Sequence, residues 1–336
     1  MFRKESFRPL ATSIAFLVCA ASPVFADTLF WDGGSTDILT DGDGVSTGGA
    51  GVWNAATLNW DAGLAPHVAW PNLNTSIASF GGAAGTVAVG TPGQPGGTLH
   101  VGGLTFTTSG YIIGDVVNNG VLAFDNTPGA IDASTLTNAG QVTINSQLTG
   151  TAGLTIAGAG GTTSSGFTRL TGNNNGLSGG ISITRGGITA NGTSAFGNNV
   201  LTITNGATLL ATGATVAINN NIVLGAGGAN FRAYTNSVLV INGSISESVA
   251  SAFTIVDNGT VRLNGINTYT GATNINLGII SFSNMGDTVN GGNLGKAGTL
   301  VFNGGTLRYT GDNFTTTRGF NPVSYTHLTL PTKRIV

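Results

Sequence analysis

The sequence predicts an all-β protein: a right-handed parallel β-helix, or β-solenoid, with an irregular Trp-containing N-terminal cap. Three observations carry this prediction. From about residue 100 onward, a Gly-containing turn is followed again and again by a short strand, as in Asn119-Gly-Val-Leu-Ala-Phe124, Ala139-Gly-Gln-Val-Thr-Ile144, Asn258-Gly-Thr-Val-Arg-Leu263 and Asn303-Gly-Gly-Thr-Leu-Arg-Tyr309. Each strand alternates an apolar residue with Thr, Ser, Ala or Asn, the period of a half-buried strand. No stretch combines a sustained 3.6-residue apolar period with helix caps, so helix content should be near zero.

Short strands between tight corners fit a sandwich or a solenoid. The theme continues without a compositional break for longer than one sandwich usually runs, which favours stacking. Inward positions are aliphatic or small, as a narrow stacked core requires. Asn-Gly corners supply the positive φ of a tight turn, and Asn at stacked corners can form ladders from coil to coil. Residues 76–321 are expected to stack at roughly 20 to 25 residues per coil.

Residues 27–75 are different. They hold all four tryptophans, Trp31, Trp53, Trp60 and Trp70, in aromatic and irregular phrases such as Phe30-Trp-Asp-Gly-Gly34. They read as a cap over the apolar end of the first coil. The alternative is a carbohydrate-binding module, in which exposed Trp faces stack on sugar rings.

The two ends read as something other than fold. Arg3, Lys4 and Arg8 precede an apolar run, and Val24 and Ala26 occupy the −3 and −1 positions of a small-residue cleavage site. Residues 1–26 are therefore expected to be a signal peptide, the apolar run being too short for the roughly 20 residues of a membrane span. Cys19, the only cysteine, lies in that segment, so the exported chain is expected to fold without disulfides. Residues 322–336 resemble the translation of a sequencing adaptor and are expected to be a non-native tail.

Between these ends, residues 27–321 carry seven Lys and Arg against thirteen Asp and Glu, a formal charge of −6. With no basic patch, the sequence offers no electrostatic source for nucleic-acid binding. Enzymatic β-helices need clustered carboxylates for acid–base work, yet between Ile131 and Thr254 the only acids are Asp132 and Glu247. Glu247 and Asp257 read as solvated surface groups, and His67 as a loop residue. The Gly-rich runs at 158–162 and 225–228 lack the Lys and the βαβ context of a phosphate loop and read as corners.

One acidic run stands apart, Asp37-Ile-Leu-Thr-Asp41-Gly42-Asp43-Gly44. Asp at alternate positions with Gly can wrap Ca²⁺, which makes Asp37, Asp41 and Asp43 the Ca²⁺ candidates. The run lacks the distal bidentate Glu of an EF-hand and reads first as a turn. No cofactor is expected.

The stretch Leu263-x-Gly265-x-Asn267-x-Tyr269-x-Gly271-x-Thr273-x-Ile275-x-x-Gly278 resembles the autotransporter-associated β-strand repeat at every named position. A looser copy begins at Leu170-Thr-Gly-Asn-Asn174, with Leu177 near the Tyr position and one inserted residue. The resemblance implies a passenger region displayed on, or released from, the outer membrane, of a family whose complete members often carry a C-terminal β-barrel or sorting signal. It implies a structural or adhesive role toward surface glycans or neighbouring cells, with a polysaccharide-degrading β-helix as the competing reading.

Overall fold

Strands whose side chains alternate between apolar and small polar residues bury one face, and corners rich in Gly and Asn let the chain turn before the next strand. In the computed structural model this produces a β-solenoid. The structure describes residues 27–90, 97–115, 120–125, 128–136, 140–158, 167–190, 192–296, 299–313, 316 and 318–322. The expected signal peptide, the Gly-rich turn at 159–162 and the tail beyond Pro322 lie outside these residues.

Among the described residues there is no helix, and the strands form sheets of 10, 12, 4 and 5 members. The 12-stranded sheet starts at Gly51–Trp53 and runs coil by coil to Gly319–Pro322, every pairing parallel. The 10-stranded sheet runs from Thr28–Trp31 to Ile245–Glu247, also parallel, with one further strand outside its first member. That strand, Trp60–Asp61, pairs antiparallel with Thr28–Trp31, placing Trp31 opposite Trp60.

Coil length varies more widely than the sequence suggests. One short coil brings Arg169 beside Thr189, whereas a much longer one separates Ile112 from its neighbour Thr143. Extra residues are accommodated in the corners, because strand register is held by the buried face and a one-residue slip would expose it.

The period-2 pattern is visible in burial. Gln141–Ile144, Gln147–Gly150 and Leu154–Gly158 each bury every second residue. The strands Ala207–Ala211 and Ala229–Ala233 are buried on both faces. On the outer face of the second of these, Arg232 lies 5.7 Å over the Tyr234 ring and pairs with Asp257 at 2.9 Å. The core is one continuous aliphatic and aromatic column, in which Phe231 stacks on Phe253 at 4.2 Å and Phe253 on Tyr269 at 5.7 Å.

Candidate functional site

The residues of the full repeat motif each hold the coil they sit in against its neighbours. Leu263, Tyr269, Thr273 and Ile275 point into the column and are fully buried. The Tyr269 hydroxyl and Thr273 Oγ1 are 2.8 Å apart, which satisfies both polar groups inside an apolar core. A Cβ at Gly265 would overlap the Gly243 carbonyl oxygen of the preceding coil, and one at Gly271 would overlap that of Ser251. Gly278 turns the corner with φ +67°.

Asn267 does the most specific work. It is 1% exposed; its Oδ1 accepts from Ile245 N of the preceding coil at 2.7 Å, and its Nδ2 donates to the Asn293 carbonyl of the next. The looser copy repeats this arrangement: Asn174 Oδ1 accepts from Leu148 N, and Nδ2 donates to the Ala195 carbonyl, both at 2.7 Å. Asn199, Asn220 and Asn293 continue the line, each donating to a carbonyl of the preceding coil. One primary amide therefore satisfies a donor and an acceptor that strand pairing leaves free at the corner.

Outside this buried line lies an exposed one. Asn242 Nδ2 donates to Asn219 Oδ1 at 2.8 Å, and Asn264 Nδ2 to Asn242 Oδ1 at 2.7 Å, a ladder across three coils. The ladder runs into a shallow groove lined by Asn175, Thr193, Asn198, Asn219 and Asn221, with buried Asn199 and Asn220 beneath. The groove is lined by uncharged side chains whose amides carry both hydrogen-bond donors and acceptors.

Glu247 and Asp257, expected to be solvated, are both engaged. Asp257 receives Arg232 from one coil earlier. Glu247 accepts hydrogen bonds from Thr270 N, Thr270 Oγ1, Ser251 N and Gly271 N, joining its corner to the next coil. Burial opposes ionisation of Glu247, but the bonds from Thr270, Ser251 and Gly271 outweigh it and hold the carboxyl below its ordinary value of 4.5. A folded-state pKa below the unfolded one means that the stabilisation is complete above the unfolded value and is lost as pH falls through the folded value. The stability difference between the native chain and Glu247→Gln should therefore be constant from pH 7 to about 5 and shrink below pH 4.5; acid titration of both unfolding midpoints checks this.

In the cap, the four tryptophans are buried, each 2% exposed or less. Trp60 lies 5.0 Å from Trp31, 5.1 Å from Trp53 and 4.8 Å from Trp70, at steep angles. No Trp face is open to a sugar ring, which removes the alternative of a Trp-based carbohydrate platform: the rings meet one another across the end of the column.

The Ca²⁺ candidates do not gather as one group. Asp37 accepts from the Ser35 hydroxyl in an exposed turn. Asp41 and Asp43 instead fall near buried Asp61, with carboxylate oxygens within 4.8 Å of one another. Asp61 is occupied by the backbone, since Oδ2 accepts from Gly44 N and Oδ1 from Gly63 N. His67, expected in a loop, is 2% exposed and faces Asp32 and Asp41 at 3.5 and 3.7 Å. Among the described residues, both groups of three or more His and carboxylate ligands lie in this cap.

Parallel coils stapled at their corners by Asn define a β-solenoid, a fold consistent with an autotransporter passenger. Over 301 residues, 87% of the chain, the sequence is 32% identical to the Adhesin BmaC autotransporter of Brucella suis biovar 1 (strain 1330). The chain spans 8% of that protein's length. No family model matches the chain, and no solved structure matches it.

Proposed function

We propose that this chain is a non-catalytic segment of an exported surface passenger, and that it takes part in adhesion through its amide-lined corner face. The observation that carries the reading is the 32% identity to an autotransporter adhesin across 87% of the chain. The amide face supports it: many weak hydrogen bonds along stacked coils suit a repeating polar polymer such as a surface glycan. The full motif copy and the expected signal peptide favour display outside the cell. The engagement of Glu247 and Asp257 in holding coils together counts against the polysaccharide-degrading alternative, since neither carboxylate is left to act as acid or base.

Beads coated with the chain should be retained on neutral glycan surfaces or on cells that bear them. The variant Asn175→Lys/Asn198→Lys changes two exposed groove residues that contribute no side-chain bond to the Asn219–Asn242–Asn264 ladder. It should lower the apparent affinity about tenfold, a loss of about 1.4 kcal/mol. Equal retention of native and variant beads would refute the groove as the adhesive face, and no retention on any surface would refute adhesion.

A further inference from the structure

We infer that Asp32, Asp41 and His67 form a binding site for a divalent transition-metal ion of the zinc class, which clamps the cap loops onto the first strand of the solenoid. The three residues come from separate segments. Asp32 follows the strand Thr28–Trp31, Asp41 closes the turn that begins at Asp37, and His67 sits beside Val68, whose backbone exchanges both hydrogen bonds with Trp60. The His67 amide also donates to the Ile38 carbonyl at 2.8 Å. The backbone thus brings the imidazole up to the two carboxylates without help from the side chains.

Each carboxylate has one oxygen fixed and one directed at the ring. Asp32 Oδ1 accepts from Thr47 N at 2.5 Å and from Thr47 Oγ1 at 2.9 Å, leaving Oδ2 toward His67. Asp41 Oδ1 accepts from Gly42 N at 2.8 Å, leaving its Oδ2 toward the same nitrogen. Asp32 Oδ2 and both nitrogens of His67 are buried and make no hydrogen bond. Burial raises the Asp32 carboxyl above its ordinary value, despite the Thr47 bonds and the attraction of His67.

The separations argue for an ion between the groups. Imidazolium–carboxylate hydrogen bonds close to about 2.7–2.9 Å. Elsewhere in this molecule His100 Nδ1 approaches Asp125 Oδ2 to 2.8 Å, though without hydrogen-bond alignment. His67 Nε2 stands off at 3.5 Å from Asp32 Oδ2 and 3.7 Å from Asp41 Oδ2. An ion bonded at about 2.0–2.2 Å holds tetrahedral ligands roughly 3.3–3.6 Å apart. One imidazole with two monodentate carboxylates suits zinc-class ions, whereas Ca²⁺ takes six to eight oxygens. The neighbouring Asp41, Asp43 and Asp61 group lacks this quality, because both oxygens of Asp61 already accept backbone amides.

The test uses the full chain, stripped with a chelator and titrated with Co²⁺, followed by Zn²⁺ displacement. One Co²⁺ per chain should give a visible d–d spectrum that Zn²⁺ abolishes, and zinc should raise the thermal midpoint where Ca²⁺ does not. Loss of a partner outside the coordination sphere typically costs about ten- to a hundredfold in metal affinity, so His67→Gln and Asp41→Asn should each cost at least that. Asp43→Asn should bind as the native chain does. Far-UV circular dichroism establishes that each variant is folded; if His67→Gln is not, Asp41→Asn, at a partly exposed position, decides. No stoichiometric Co²⁺ or Zn²⁺ uptake, unchanged binding by a folded Asp41→Asn or His67→Gln, or loss of binding in Asp43→Asn would overturn the site.

Discussion

Trp60→Ala should destabilise the N-terminal part of the solenoid by about 3–5 kcal/mol, the usual loss when a fully buried Trp or Phe is truncated. Its ring touches Trp31, Trp53, Trp70 and Phe80 at centroid distances of 4.8 to 5.8 Å. Removing it empties the middle of the cluster rather than its edge. The backbone of the Trp60–Asp61 strand cannot collapse into the gap, because its bonds to Val68 and its pairing with Thr28–Trp31 fix its height above the column. Chemical denaturation followed by the fluorescence of the remaining tryptophans measures the loss. Leu64→Ala, at a position 78% exposed in the same cap, is the matched control and should move the midpoint by no more than about 0.5 kcal/mol. A loss below about 1 kcal/mol for Trp60→Ala would show that the cluster is not a packed core.

Asn267→Leu should be the second most damaging change. Leu branches at the same carbon as Asn and keeps the corner filled, so the effect reports chiefly on the amide. The Ile245 N–H and the Asn293 carbonyl would each lose their partner in a buried setting, at about 1–3 kcal/mol per orphaned group. The exposed ladder supplies the contrast. Asn264→Ala removes one surface amide bond and leaves water to replace it, and should cost about 0.5 kcal/mol or less. Equal losses for the two variants would mean that burial of the Asn267 amide is energetically irrelevant. Amide hydrogen exchange adds a local readout: Ile245 N–H should lose protection in Asn267→Leu and keep it in Asn264→Ala.

The solenoid was legible because its signals are local. Period-2 alternation and the Asn-Gly corner occupy neighbouring residues, and the motif from Leu263 to Gly278 lies within a single coil. Asn ladders at stacked corners were also expected, and the Asn219–Asn242–Asn264 series is one. What sequence reading missed are contacts whose partners are separated by a coil or a loop. Asp257 meets Arg232 from the coil before it, and nothing in the spacing distinguishes that pair from two solvated side chains until coil length is known. Coil length itself was hidden, since corners absorb insertions without disturbing the strand pattern. His67 was missed for a related reason: its carboxylate partners, Asp32 and Asp41, lie far back along the chain, and the cap has no repeat from which a spacing could be inferred. The Asp37-to-Gly44 run contributes only Asp41 to this group, while its first member, Asp37, serves its own turn.

The antiparallel strand Trp60–Asp61 gives the rod a polarity. Among the described residues, every other pairing between strands is parallel, each rung presenting its neighbour with a template of the same direction. At this end the template is reversed, and the Trp cluster seals the column beneath it. A further parallel coil therefore finds no matching edge on the 10-stranded sheet, while the 12-stranded sheet still begins on the parallel strand Gly51–Trp53.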